Sequence, residues 1–489
     1  GQRKARQDVS GCQGGKLLQE NDAEDVLGFD GKPSLRTATR IFGPSTFSCD
    51  TEDAKVADRS KTLTVMSQDP AISPHVGSVY GTAASDVLRF ESSPLGSNGN
   101  PTARVVVKQS DLEVNAALFS SSQGKILLVT LDLLFVGDEI AREVRGAVHT
   151  LDSSICVWIS SSHTHRAPAT DGNKPLLGAP VPSVVSTIAQ IACATVIRLL
   201  SASGQADAPQ RAISGVIRRA DMSGLSVHRR SPGRLRLTRR GVQFGGTVMA
   251  PDFAKPVQRE AVRVDWVDDA GTVRFVMWHW ACHPTAFPDP MRISADYVGV
   301  VRDAIREEVG DVPVLFFQGF AGDIRPPAVR TWRTNPVRRL LVGPGFRRFS
   351  IDEYERWSAE VARRVVAAKP SPRTTTVDGA PHVSSRRVTH PAEDFVRGSR
   401  TSEVVVQHVE IGPLRLLGVS AEPSYGHVPE DANPATDWFC GYLEDVYGYL
   451  PTEQQFEEGG YEVDGFCKHF GCESLCMAGI RQFGLDLQE

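Results

Sequence analysis

Two histidines separated by one threonine, His163 and His165 in SSSHTHRAP, follow directly on the apolar run ICVWI. Side chains two residues apart on a strand share a face, about 6.5 Å from each other. Both imidazoles are therefore expected to look one way from a strand end, although such a pair also suits two hydrogen-bonded loop histidines. Three further groups follow apolar runs in the same way: His283 after MWHWAC, Asp323 after LFFQGFAG and Glu422 after LLGVSA. Polar residues that stop apolar strands at a common edge are how α/β bodies assemble a site. Two histidines plus one carboxylate, with a position left open, is the protein ligand set of a catalytic zinc. A second group lies near the end of the sequence, where Cys467, Cys472 and Cys476 surround His469, with Cys440 upstream. The spacing C-x4-C-x3-C is not that of a zinc knuckle, so apolar packing stands beside a second metal site as its reading.

The elements that must carry these residues read as alternating strands and helices. VNAALFSSSQGKILLVTLDLLFV gives strand, turn, strand. DEIAREVRGAVHTL (138–151) is an amphipathic helix opened by acidic residues, and ICVWISS is the next buried strand. SVVSTIAQIACATVIRLLSA (183–202) reads as a largely buried helix. REAVRVDWVDD and TVRFVMWHWACHP form a hairpin across DAG, followed by the helix ADYVGVVRDAIREEVG and the strand VPVLFFQG. The helix SIDEYERWSAEVARRVVAA and the strands EVVVQHVEIG and PLRLLGVSAEPS complete the pattern. The expectation is an α/β fold, a large mixed β-sheet core flanked by helices, as one domain over 86–489 behind an irregular N-terminal segment, 1–85.

Bulk properties exclude several classes. With 41% hydrophobic and 23% charged residues the 489-residue chain has the composition of a globular protein. A net charge of −4 offers no general attraction for nucleic acid. Arginines cluster over 211–240, without interleaved aromatics, which suits a solvated sheet face or an anion-binding patch. No stretch reaches the apolar length of a transmembrane segment, since KILLVTLDLLFVG is short and interrupted by Asp132. The first residues lack an apolar signal region, and nine scattered cysteines argue against a disulfide framework, so a cytoplasmic location is expected.

Five segments in order, SSSHTHRAP, WACHPTAF with ISADYVG, FQGFAGDIRPP, SAEPS and GYLPTEQQFEEGGYE, resemble the neutral, non-lysosomal ceramidases over roughly residues 90–465. The resemblance implies one catalytic zinc held by His163, His283, Glu422 and Tyr449. It also implies that His165 orients water or His163 beside the ion and that Tyr461 contacts the reacting group. The chain departs from the family after the GD motif. Gly322-Asp323-Ile324-Arg325 carries arginine where ceramidases carry a serine, and the family's immunoglobulin-like domain is not expected after GGYE.

The chemistry implied is hydrolysis of an amide or ester of a small molecule, with Asp323 or His165 moving the proton and Tyr461 donating to the oxyanion. Arg325, permanently charged and planar, would favour a carboxylate or phosphate on a substrate other than ceramide.

Overall fold

The computed structural model describes residues 79–96, 104–105, 107–203, 212–233, 236–238, 241–243, 245–330, 343–370 and 382–488. The expected elements form where the patterning places them, including the helices Asp138–Leu151 and Pro182–Ser203 and the strand Ile155–Ser161. The helix Ile351–Val366 starts where Ser350 and Glu353 form a reciprocal capping box, satisfying two of its first free N–H groups. The strand Tyr80–Val87 pairs antiparallel with Glu113–Ser120, so the last residues of the expected N-terminal segment belong to a sheet. Residues 1–78 of that segment lie outside the described residues.

The larger strands divide among three sheets of four, five and four strands. In each, a strand that ends beside the site is paired in parallel. Ile155–Ser161 lies against Lys125–Leu131 after the crossover helix Asp138–Leu151. Val273–Trp280 lies against Val314–Gln318, connected by the helix Asp296–Val309. Leu414–Val419 lies against Asp437–Cys440. Isolated bridges, Ser160 to Leu443 and Gly319 to Cys440, link the ends of these strands across the sheets. The sheets meet over one buried aromatic core containing Phe119, Trp158, Trp266, Phe275, Phe317 and Trp438. Edge-on and tilted ring contacts, such as Trp158 on Phe317 and Phe317 on Trp438, join the sheets there.

Among the described residues one helix, Pro182–Ser203, is long and apolar enough to cross a membrane by length and composition, contrary to the reading of the sequence. Its residues Val184, Ile188, Ala192, Val196 and Leu199 are buried in a core with Val114, Leu127 and Val144, so the apolar composition serves packing on a sheet and a neighbouring helix.

Candidate active site

Each of the three parallel-paired strands delivers a donor within three residues of its end: His163, His283 and Glu422. His163 is not on the strand. It sits two residues beyond Ser161 with φ 64°, a left-handed conformation that costs a non-glycine residue about 1–3 kcal/mol. The strand alternation expected for His163 and His165 therefore does not operate. Their rings converge instead through this turn, with centroids 4.8 Å apart. Tyr442, also left-handed at φ 66°, stacks on the His163 ring at 4.1 Å and holds its plane.

The ring nitrogens are oriented by backbone carbonyls. His163 Nδ1 donates to Leu134 C=O at 3.0 Å and His283 Nδ1 donates to Ala321 C=O at 2.7 Å. That tautomer leaves both Nε2 lone pairs facing inward, 3.1 Å apart. His165 Nε2 lies 3.3 Å from His163 Nε2. Glu422 Oε2 stands 3.4 Å from His163 Nε2 and 3.3 Å from His283 Nε2, and it is buried without a hydrogen-bond donor. Burial opposes the Glu422 charge, but the neighbouring His163 and His283 outweigh it and hold the carboxyl well below its usual range. Burial, followed by His163 and His283, depresses His165 well below an ordinary imidazole, and burial brings His283 to about 4. Lone pairs of ring nitrogens and of a carboxylate oxygen that point at one another repel unless a cation lies between them. The donor set thus fits a divalent metal. His163, His165 and His283 are the group among the described residues whose ring nitrogens could hold an ion, and His165 lies directly against the other two.

Tyr449 is placed beside Glu422 by a short parallel pairing, Glu422–Pro423 with Tyr449–Leu450, in which Glu422 and Tyr449 are direct partners. Gly322 permits that approach from the other side. A Cβ there would lie 2.7 Å from the Glu422 carbonyl oxygen, and its N–H donates to Pro423 C=O at 2.8 Å. Tyr461 opens a π-helical turn and packs edge-on against Tyr449 at 5.6 Å. Burial pushes its hydroxyl up to about 12, partly offset by Arg229, so it is a proton donor at neutral pH.

Arg229 went unrecognised in the sequence, where it lay inside the arginine run taken for a solvated face or anion patch. Its guanidinium is buried between the rings of Tyr449 and Tyr461, at 5.3 and 5.5 Å. Nε donates to Glu462 Oε1 at 2.8 Å, while Nη2 is buried with no hydrogen-bond partner. Arg230, equally buried, shares the same carboxylate, with Nη1 2.7 Å from Glu462 Oε2. A solvated face is thus wrong for these two residues.

One expected role changes, that of Asp323. Asp323 is 0% exposed and its carboxylate is fully engaged. It accepts from Tyr425 N–H at 2.9 Å, Gln455 Nε2 at 2.7 Å and His228 Nε2 at 3.1 Å. Burial would raise its pKa, but these donors win and hold it at about 2. Asp323 ties the segment that carries Tyr449 and Tyr461 to the strand that carries Arg229, and it is not placed to relay a proton. Arg325 stacks on Phe346 at 4.4 Å, so the guanidinium against the two tyrosines is that of Arg229. The cysteines do not converge on a second metal. Cys440 bonds toward Trp438 C=O inside the aromatic core and Cys476 toward Glu393 C=O, apart from Cys467 and Cys472.

The fold is that of neutral ceramidase. The chain superimposes on neutral ceramidase from Pseudomonas aeruginosa with a TM-score of 0.63 at 12% identity, over 84% of this chain and 74% of that one. A ceramidase complexed with C2 gives 0.61 at 13% identity, over 84% and 75%. No family model matches the sequence, and no curated protein does.

Proposed function

On the premise of a neutral-ceramidase-like fold, we propose that this chain is a zinc-dependent hydrolase. Its reaction is cleavage of the amide bond of a small, anionic N-acyl compound other than ceramide. The observation that carries the reading is the inward-facing set of His163, His165, His283 and Glu422 beside a buried guanidinium and two tyrosines. His163, His283, Glu422 and Tyr449 are the proposed ligands, with His165 against them. A divalent ion held there supplies Lewis acidity toward an acyl carbonyl and lowers the pKa of a water to about 7.

The chain's own groups do the rest. Arg229 Nη2, buried and lacking an acceptor, binds a substrate oxygen, and the Tyr461 hydroxyl donates to the same developing oxyanion. His165 is uncharged near neutrality because burial disfavours its cation, so its Nε2 can accept a proton and pass it to a leaving amine. Asp323 and Glu462 position the tyrosine segment and Arg229, respectively. Arg325 occupies the place of the ceramidase serine and adds a permanent charge, which supports an anionic substrate. Ester cleavage would use the same groups.

The test is a panel of N-acyl amides and esters, with and without carboxylate or phosphate, assayed before and after chelation and zinc restoration. Turnover of an anionic N-acyl amide that chelation removes and zinc restores supports the reading. Metal-bound protein inert toward the whole panel contradicts it.

A further inference from the structure

The cysteines near the end of the sequence are not absorbed by the metal site, and two of them are placed against each other. The short helix Cys467–Phe470 is closed by Gly471 in the left-handed conformation, φ 71° and ψ 32°. The N–H groups of Gly471 and Cys472 both return to the Cys467 carbonyl, at 2.8 and 3.2 Å. This closure is the one that sets the residue three before a helix end face to face with the second residue after it. Those residues are Cys467 and Cys472. Cys472 Sγ lies 3.9 Å from the Cys467 carbonyl oxygen, and both side chains join the same apolar cluster. The segment is tied to the active site. Phe466 and Phe470 pack on Tyr449 at 5.3 and 6.1 Å, and Phe470 packs on Phe135, which in turn packs on His163.

We infer that Cys467 and Cys472 form a reversible intramolecular disulfide behind the tyrosine wall, made by exchange with a small diffusible disulfide. Cys472 is partly exposed and Cys467 is buried, so Cys472 takes the first half of the incoming disulfide and releases one thiol. The Cys467 sulfur then attacks the Cys472 sulfur and expels the second thiol. The protein loses two protons and two electrons, and the small disulfide takes them up to become two thiols. The contact between the two thiols lowers Cys467 and raises Cys472, as expected of two sulfurs that share one proton. Seven cysteines are described and all are free thiols, among them exposed Cys156 and buried Cys282 and Cys440, which serve as internal references.

The experiment equilibrates the full chain with oxidised glutathione, then alkylates remaining thiols and maps them by mass spectrometry. The expected result is joint loss of Cys467 and Cys472 from the alkylated pool, in one peptide two hydrogens lighter and free of glutathione. Dithiothreitol should restore both, while Cys282 and Cys440 stay reduced throughout. In Cys472→Ser, Cys467 should remain alkylatable, and in Cys476→Ser the link should form as in the parent. Amide exchange across 466–471 should slow at least tenfold in the oxidised protein. Separate glutathione adducts on Cys467 and Cys472, a link from Cys467 to Cys476, or both thiols free while Cys156 is modified would each overturn the inference.

Discussion

Glu462 is the most sensitive single point in the wall of the site, and Glu462→Gln tests why. The carboxylate is 1% exposed and is the carboxylate that meets Arg229, at 2.8 Å, and it also holds Arg230 at 2.7 Å. Glutamine keeps the shape and one acceptor but removes the charge. Arg230 retains Glu458, 3.2 Å away and partly exposed, whereas Arg229 loses its counter-charge between two aromatic rings. Removing one partner of a buried ion pair typically costs about 3–5 kcal/mol, because the other charge is left uncompensated. Glu458→Gln touches the same network at its solvent edge and should cost under about 1 kcal/mol. Equilibrium unfolding in urea of the parent and both variants, under identical salt, reads the difference. Equal midpoint shifts for the two variants, or a loss under about 1 kcal/mol for Glu462→Gln, would refute the reasoning.

Asp323 titrates at about 2 in the folded chain against 3.8 for a free carboxyl. A depressed value stabilises the fold above about pH 4 and is lost as pH falls through 2, a contribution of about 2 kcal/mol. Urea midpoints of the parent should therefore approach those of Asp323→Asn on acidification from pH 5 to 2, and a widening gap would be inconsistent with this. Gly322→Ala sets a Cβ 2.7 Å from backbone oxygen at Glu422, so the loop must shift. Destabilisation of about 1–3 kcal/mol together with weakened metal binding is expected, and unchanged values on both counts would remove Gly322 from the account. On the proposed role of Arg325, long-chain ceramide in detergent micelles should not turn over, and Arg325→Lys should lower kcat/KM on the true substrate without altering metal content. Robust ceramide cleavage, or a lysine variant with full kcat/KM, would argue for a bystander arginine.

What could be read in the sequence follows contact range. His163, His283 and Glu422 were legible because each comes within three residues of a strand that ends in an unmistakable apolar run. The helices and the hairpin were legible because 3.6- and 2-residue periodicity is local. The division into three sheets was not, since strand pairing is a long-range choice that periodicity does not encode. Arg229 was hidden for the same reason: its partner Glu462 lies 233 positions away, and nothing near Arg229 marks it as buried. The run of arginines around it resembled a solvated face, and the signal for the alternative was the glutamate immediately after Tyr461. Asp323 was legible as a site-adjacent carboxylate but not as a positioning one, because His228 and Gln455 come from distant strand and helix segments. The closeness of His165 to His163 was not legible, because a left-handed turn at His163, which composition does not announce, folds the two rings together.

The most direct test of the account is calorimetric titration of metal-free protein with Zn2+, comparing the parent with His283→Ala and with Asp323→Asn. The inward-facing donors predict one tight site in the parent, loss of that site in His283→Ala, and retention of it in Asp323→Asn, whose carboxylate holds the tyrosine segment and not the ion. A parent that takes up no zinc, or a His283→Ala variant that binds it with the parent's stoichiometry and affinity, would contradict the metal centre on which the proposed chemistry rests.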